Sequence, residues 1–492
     1  MDVTSMHSDI IIIGAGVVGC ALARELSFLS DASVTVLEMG ADVAEGASKA
    51  NSGIVHAGFD AKRGSLKARY NVEGSKLYPD LCRELSVPYR HNGAMVLAFS
   101  EEDRDTLRGL LEQGVENGVE ELRIIERDEV LALEPNTNPD VVCALLAPTS
   151  ALVSPYELTF ALADHAALNG AKFVFDTRVE SARREGGRWQ LETSSGTYTC
   201  DILVNCAGTS SAALHNLMTG REELRIINRR GQYWLLDHAV PVPFEHTMFQ
   251  CPTKMGKGVL IAPTVHGNVL LGPNAEDIDD PLDTATTAQG LEAVLTAVRR
   301  TWPKAETRSA VTNFAGIRAH EAAGEFRIGA VDGAENAYEA VGIESPGLSA
   351  APAIARDLAQ MIAADFGLER KTKVPYPAMP KPFNEMTPEE QAAACEEDPL
   401  NGTIICRCEV VTEAEIRRAI RRPIGAKSVD AVKRRTRAGM GRCQGGFCAP
   451  RVMEILADEL GVNVTEITKN GGGSYLLTGT LSDAWKEAEA DA

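Results

Sequence analysis

No stretch of the 492-residue chain is long and apolar enough to span a bilayer. The longest apolar run, Ile10 to Ala23, is shorter than the about 20 residues a spanning helix needs, and Gly14, Gly16 and Gly19 interrupt it. No Lys or Arg precedes that run, so it also lacks the basic region of a secretory signal. Together these absences predict a cytoplasmic protein without a transmembrane segment, whose membrane association, if any, runs through a partner. Cations are scarce too: 49 Lys and Arg against 69 Asp and Glu leave a net charge of -20, which excludes nucleic acid as a general partner. There is no internal repeat. The 11 cysteines are odd in number and lack secreted-type spacing, which favours reduced thiols or metal ligands over disulfides. What remains, 44% hydrophobic and 24% charged residues, is an ordinary globular composition with room for several domains.

The chain opens on a β-branched run, Ile10 to Ile13, suited to a strand covered on both faces. Gly14-Ala15-Gly16-Val17-Val18-Gly19 follows, then a helical stretch from Cys20 to Leu29 and a second strand, Val34 to Leu37, ending in Glu38. This is the dinucleotide fingerprint in its full context. Gly14 allows the tight turn, Gly16 the approach of pyrophosphate, and Gly19 close packing of helix on strand. The helix N-terminus offers N–H groups and a positive dipole end to phosphate, and Glu38 accepts from ribose hydroxyls. FAD and NAD remain equally open at this point.

The next stretch, Glu45 to Gly58, is rich in small and hydroxyl residues, including Ser48, Asn51 and Ser52. With Gly64-Ser65-Leu66-Lys67-Ala68-Arg69 it closely resembles the FAD-dependent glycerol-3-phosphate dehydrogenase and L-2-hydroxyglutarate oxidase families, which are D-amino-acid-oxidase-like flavoproteins. The resemblance covers about residues 8–370 and implies FAD. It implies an α/β fold: a Rossmann-like FAD-binding domain (parts about 8–75, 150–212 and 314–366) with an antiparallel-sheet substrate domain (about 76–149 and 213–313). It puts Ser48, Asn51, Ser52, Val179, Ala207, Gly208, Gly316, Gly347, Leu348 and Ser349 around the cofactor, beside the fingerprint residues. Lys172 to Val179 reads as a strand before a hairpin through Gly186 and Gly187, and Asp201 to Asn205 as another buried strand. Gly231 to Leu236, Val259 to Pro263 and Gly267 to Gly272 are strand-like with no crossover helices between them, hence an antiparallel sheet. Thr264 to Pro273 resembles the glycerol-3-phosphate branch, whereas His56-Ala57-Gly58 leans to the hydroxyglutarate branch.

In Phe314-Ala315-Gly316-Ile317-Arg318 an arginine ends a strand, where its guanidinium can fork onto a carboxylate or phosphate. The resemblance assigns Arg318 to the substrate's anionic group; the alternative is a salt bridge to Glu321 or Glu325. Oxidising a secondary alcohol also needs a base, and His is the common choice near neutral pH. His56 ranks first, His320 second, and His266 is the third histidine in a suggestive place.

Six prolines and a cluster of acids between Pro375 and Pro399 mark residues 371–402 as a Pro-rich, extended or irregular linker. Beyond it, Cys406, Cys408, Cys443 and Cys448 form two tight pairs 34 residues apart. Four thiolates can hold zinc or an iron–sulfur cluster. The spacing and the Gly441 to Pro450 loop resemble the bacterioferritin-associated-ferredoxin-like [2Fe–2S] domain, here residues 403–460, with 461–492 as a tail. Residues 406–450 carry 11 cations and four acids, a local +7 that can raise a cluster's potential or dock an acidic electron-transfer partner. The combined reading is an FAD-dependent dehydrogenase of a small anionic secondary alcohol, sn-glycerol 3-phosphate first, that passes electrons through a [2Fe–2S] cluster to an acceptor protein or a second flavoprotein subunit. L-2-hydroxyglutarate and then opine or amino-acid substrates follow in order. A redox-sensing or electron-transfer subunit with no substrate of its own is the reading of a different class.

Overall fold

The computed structural model of the protein describes residues 6–29, 32–252, 258–479 and 481, so the end of the predicted tail lies outside the described residues. The chain forms two compact units, Met1–Glu38 with Val43–Pro377, and Met39–Asp42 with Ala378–Ala492.

In the first unit the isoleucine run is the buried end of β1 (Met6–Ile13). It pairs in parallel with β2 (Val34–Leu37) on one side and with strand Gly196–Asn205 on the other. Lys172–Val174 continues the sheet beyond β2, and Ala337–Val341 pairs in parallel with Gly196–Asn205. Helix α1 (Val17–Leu26) is almost wholly buried and packs on helices Pro155–Leu168 and Gly347–Phe366. Strands β-branched on both faces and helices rich in Ala explain this layering: each strand side chain meets a helix, and small helix residues allow close approach.

A second, nine-stranded sheet forms the other half of this unit. Its spine is the long antiparallel pair Ile226–Leu236 and Ala310–Glu321, in register Ile227↔His320, Arg229↔Arg318, Gly231↔Gly316 and Tyr233↔Phe314. The Tyr233 and Phe314 rings stack with centroids 4.8 Å apart, which pins that register. The sheet is antiparallel as the turn spacing predicts, except that Ala94–Ala98 runs parallel to Thr247–Gln250. Those two strands lie far apart in sequence, and helices and strands from elsewhere in the unit connect them, so no local turn fixes their relative direction.

Two local expectations are corrected. Lys172 to Val179 is not one strand: it stops at Val174, and a turn through Asp176 at φ 53° separates it from Val179–Glu185. The 371–402 segment is not irregular throughout either. Thr387 caps helix Pro388–Glu397, its hydroxyl accepting from the Glu390 N–H while the Glu390 carboxylate accepts from the Thr387 N–H. Pro388 stands in the first turn, where a missing N–H is harmless.

The second unit is built on helices Glu413–Ile420, Val429–Thr436 and Ala449–Leu460, with a short hairpin of Ile404–Cys406 and Val411–Thr412. Thr412 and Glu415 make a capping box at the start of the first helix. The second ends at Thr436, because Arg437 adopts a left-handed conformation at φ 69°. Much of the basic patch is internally neutralised: Arg417 pairs with Glu413, Asp458 and Glu459, Arg421 with Glu459, and Arg437 with Glu409.

Candidate functional site

The glycine turn between β1 and α1 shows three different demands. Gly14 has φ +104°, and a Cβ there would sit 2.5 Å from the Cys206 carbonyl oxygen. A Cβ on Gly19 would sit 2.0 Å from the Gly14 carbonyl oxygen. Both glycines are therefore required by the protein's own packing. Gly16 is different: among the described residues its Cβ would meet only the Ser48 hydroxyl within 4 Å, at 3.2 Å. The space in front of Gly16 is a cradle, and the residues there fit a pyrophosphate. Across the turn the Glu38 carboxylate, buried at the end of β2, accepts from the Ala15 N–H at 2.7 Å.

Gly16→Ala is accordingly expected to leave the cofactor-free fold within a few degrees of the parent melting temperature yet retain much less FAD. Gly19→Ala should lose both. Thermal melts of the stripped proteins and their flavin content after reconstitution check the contrast.

Loop 45–58 runs from this turn past every other element of the cradle. The Ser48 hydroxyl accepts from the Val17 N–H at 2.9 Å, at the first residue of α1. Ala50 lies so close to the strand Ala310–Glu321 that a Cβ on Gly316 would be 1.9 Å from its carbonyl oxygen. Ser52 meets the Tyr233 hydroxyl at 3.4 Å. The His56 N–H donates to the Ser349 hydroxyl at 2.8 Å, in the first turn of helix Gly347–Phe366. Neither α1 nor helix Gly347–Phe366 has a side-chain cap at its N-cap residue. One loop thus connects two helix N-termini, which suits a long cofactor with a pyrophosphate at one end and an electron-rich ring edge at the other. Asn51 serves the loop itself: its amide donates to the Ala47 and Ser48 carbonyls and its oxygen accepts from the Gly53 N–H. Val179 starts its strand half-buried, and Ala207 and Gly208 form the turn that follows the strand Gly196–Asn205. The Leu348 carbonyl accepts from the Tyr78 hydroxyl, fixing the start of the helix.

Alternation along Ala310–Glu321 puts Gly316, Arg318 and His320 on one face, and Gly316 shows that this face looks onto loop 45–58. Arg318 makes neither of the salt bridges considered from sequence. Its guanidinium donates to the Asn274 carbonyl at 2.9 Å and has no carboxylate partner among the described residues, while Glu321 accepts from the Ala323 N–H and Glu325 from the N–H groups of Lys67 and Phe326. Gly231 makes room for it, since a Cβ there would be 2.9 Å from an Arg318 nitrogen. The neighbouring arginines are occupied: Arg229 forks onto Asp277 at 2.7 and 3.2 Å, and buried Arg230 reaches Glu276 and Asp283. Burial pushes the Tyr233 phenol up, with Arg318 pulling against it, which keeps the hydroxyl a neutral donor.

The three histidines separate clearly. His56 sits beside Phe249, with ring centroids 5.8 Å apart, and its backbone is tied to Ser349. His266 sits in the turn between strands Leu260–Pro263 and Val269–Gly272, where Glu157 holds it at 2.8 Å. His320 presents Nδ1 to the Glu344 carboxylate at 2.8 Å, and the same oxygen takes Lys67 Nζ at 2.7 Å. Burial raises the Glu344 carboxyl, but Lys67 and then His320 more than offset that and hold it below the ordinary range. Lys67 and Glu344 escaped the sequence reading. Nothing local pairs them, since the two are 277 residues apart.

In the second unit Cys408 and Cys443 bring their sulfurs to 3.8 Å, and Cys406 is hydrogen-bonded to Cys448. The Cys448 bond, against burial and helped by N–H groups of Gly439, Glu409 and Cys408, draws the Cys406 thiol down to about 6. Phe447, Gly445 and Gly446 turn N–H groups onto Cys443, which is also lowered. A zinc ion bound at about 2.3 Å would hold all four sulfurs within about 3.8 Å of one another. Among the described residues no three of these sulfurs gather within 4.8 Å of one another. Two pairs, each braced by backbone N–H donors, fit a two-iron cluster with one pair per iron.

Residues 9–361 match the family model of the FAD dependent oxidoreductases, and residues 404–458 that of the BFD-like [2Fe-2S] binding domain. A glycerol 3-phosphate dehydrogenase of Caloramator mitchellensis is 46% identical over 476 residues, 96% of this chain and 98% of that one. The mitochondrial L-2-hydroxyglutarate dehydrogenase of Arabidopsis thaliana is 28% identical over 401 residues, 71% of this chain and 82% of that one. Among solved structures, a dithionite-reduced L-alpha-glycerophosphate oxidase from Mycoplasma pneumoniae with FAD bound superimposes with a TM-score of 0.72 at 29% identity, covering 76% of this chain and 99% of that one.

Proposed function

This chain belongs to the FAD dependent oxidoreductase family, with a BFD-like [2Fe-2S] binding domain behind it, and on that footing we propose that it oxidises sn-glycerol 3-phosphate to dihydroxyacetone phosphate. What carries the reading is the likeness to a glycerol 3-phosphate dehydrogenase along nearly the whole chain, cluster domain included. FAD, when bound, accepts a hydride, and a [2Fe–2S] cluster accepts single electrons. The remaining work falls to side chains. Gly16, Ser48 and the N-terminus of α1 hold the pyrophosphate, and the N-terminus of helix Gly347–Phe366, with Ser349, steadies the ring end. Arg318, with no carboxylate partner among the described residues, binds the substrate's anionic group by charge-assisted hydrogen bonds. His56, at the end of the cofactor loop, takes the hydroxyl proton as the carbon loses its hydride. Cys406, Cys408, Cys443 and Cys448 would hold the cluster, which would supply a one-electron exit to an acceptor protein, the use a dehydrogenase has for a cluster and an oxidase does not. Among the described residues no helix is long and apolar enough to cross a membrane.

The test is anaerobic addition of sn-glycerol 3-phosphate, then L-2-hydroxyglutarate, to the flavin-loaded protein while its absorption spectrum is recorded. The first should bleach the flavin band within seconds and the second should not. Bleaching by L-2-hydroxyglutarate instead would reassign the substrate. Bleaching by neither would favour an amine substrate or an electron-transfer subunit.

A further inference from the structure

We propose that Arg318 and His320 form a two-point seat for the phosphate dianion of the substrate, with Glu344 and Lys67 as positioning residues that hold the imidazole as a donor. This rests on the glycerol 3-phosphate reading and adds the group that tells a phosphate from a carboxylate.

Three observations carry it. Arg318 and His320 are two residues apart on the face of the strand that looks onto the cofactor loop, so their Cα atoms are about 6.6 Å apart. Donors at that spacing, each about 2.8 Å from an acceptor, can reach two oxygens of one phosphate. Next, both side chains keep donors in reserve. The Arg318 guanidinium donates only to the Asn274 carbonyl, and His320 uses only Nδ1, leaving Nε2 without a protein partner among the described residues. Finally, among the described residues the carboxylate behind His320 makes direct ion pairs with only Lys67 and the imidazole itself. Nδ1–H donates to Glu344, and a proton on Nε2 then makes the ring a cation facing away from the acid. A carboxylate substrate is satisfied by one forked arginine, whereas a phosphate dianion gains from the second cation.

The charged groups around the imidazole are Glu344 on the turn before helix Gly347–Phe366, Lys67 on helix Leu66–Ser75, Arg318 on its own strand, and the Arg229–Asp277 pair on the two neighbouring strands. Glu325 accepts from the Lys67 backbone N–H. Arg229 and Asp277 cancel, and Lys67 opposes Glu344. The carboxylate is the group in contact with the ring. Removing its charge should therefore loosen the hold on Nδ1 and let the ring turn away from the Arg318 side.

The variant is His320→Asn, whose amide keeps a donor for Glu344 while deleting the Nε2 arm. Calorimetric titration of the flavin-loaded full chain with inorganic phosphate and with acetate should show phosphate affinity falling about ten- to hundredfold and acetate affinity by less than threefold. The preference for glycerol 3-phosphate over glycerol, as a ratio of kcat/KM, should fall by the same factor. Glu344→Gln, which leaves the imidazole present but less firmly held, should weaken phosphate binding by a smaller factor than His320→Asn, with acetate binding within threefold and the KM for glycerol 3-phosphate raised more than kcat is lowered. Unchanged phosphate affinity in His320→Asn would overturn the seat. So would equal losses with glycerol and glycerol 3-phosphate, which would put His320 on the proton rather than the phosphate. If glycerol 3-phosphate fails to bleach the parent protein but phosphate binding still depends on His320, the seat stands and the substrate reading falls.

Discussion

His56→Gln is expected to slow anaerobic flavin bleaching by sn-glycerol 3-phosphate about 10²- to 10⁴-fold, with flavin content and substrate affinity nearly unchanged. The separation follows from how the residue is held. Its backbone N–H is fixed by Ser349, whose hydroxyl also donates to the Ile54 carbonyl, and Ile54–Val55 pairs with Ala151–Val153. None of these bonds involves the imidazole, so a glutamine inherits the same loop position. The ring itself packs beside Phe249, on the substrate sheet. Gln replaces the polarity of the ring but cannot take a proton near neutral pH. Rapid mixing across a series of substrate concentrations gives the limiting bleaching rate and the dissociation constant separately. A limiting rate within tenfold of the parent would remove His56 from the chemistry. A weakened dissociation constant at full rate would make it a binding residue.

Much of this site was legible because its parts are local. The fingerprint from Ile10 to Glu38 needs only a strand, a turn and a helix in sequence, and the structure builds β1, α1 and β2 from it. The predicted boundary was late by three residues at the start of α1, since Val17 and Val18 are helical although β-branched; buried packing outweighs their modest helix penalty. The cysteine pairs were readable for the same reason. Contacts that close the site over long sequence distances were not. Lys67 and Glu344 meet only because the turn before helix Gly347–Phe366 packs on helix Leu66–Ser75, and neither segment has a pattern that names the other. The pairing of Ser52 with Tyr233 is of the same kind. Arg318 could be chosen from sequence as an anion binder, but its lack of a carboxylate partner depends on Arg229 and Arg230 having claimed Asp277, Glu276 and Asp283, which only the sheet register decides. The capped helix at Thr387 was missed because a high proline content was read as irregular, whereas Pro388 stands where a helix tolerates it.

Cys443→Ser is expected to abolish the iron–sulfur absorbance and slow reduction of cytochrome c, a one-electron acceptor, at least tenfold, while bleaching of the flavin by substrate stays within about twofold. The choice of cysteine matters. Cys406 and Cys448 are buried in the core of the second unit, packed with Ile416, Val432, Val452 and Leu456, so changing either disturbs the fold along with the metal site. Cys443 lies outside that core, in a loop shaped by Gln444 at φ 48° and Gly445 at φ 88°. Its sulfur receives the N–H groups of Phe447, Gly445 and Gly446, an arrangement suited to a thiolate. A serine hydroxyl at neutral pH keeps its proton and is a poor iron ligand, so one iron would keep Cys408 as its only protein ligand. The helices should survive, because their packing does not pass through this loop; far-UV circular dichroism checks that. The two half-reactions then answer separate questions. Slower cytochrome c reduction with normal bleaching places the cluster between substrate oxidation and the acceptor. Normal cytochrome c reduction in a protein shown to lack iron would mean that electrons reach the acceptor without the second unit, and the dehydrogenase reading would stand without the relay.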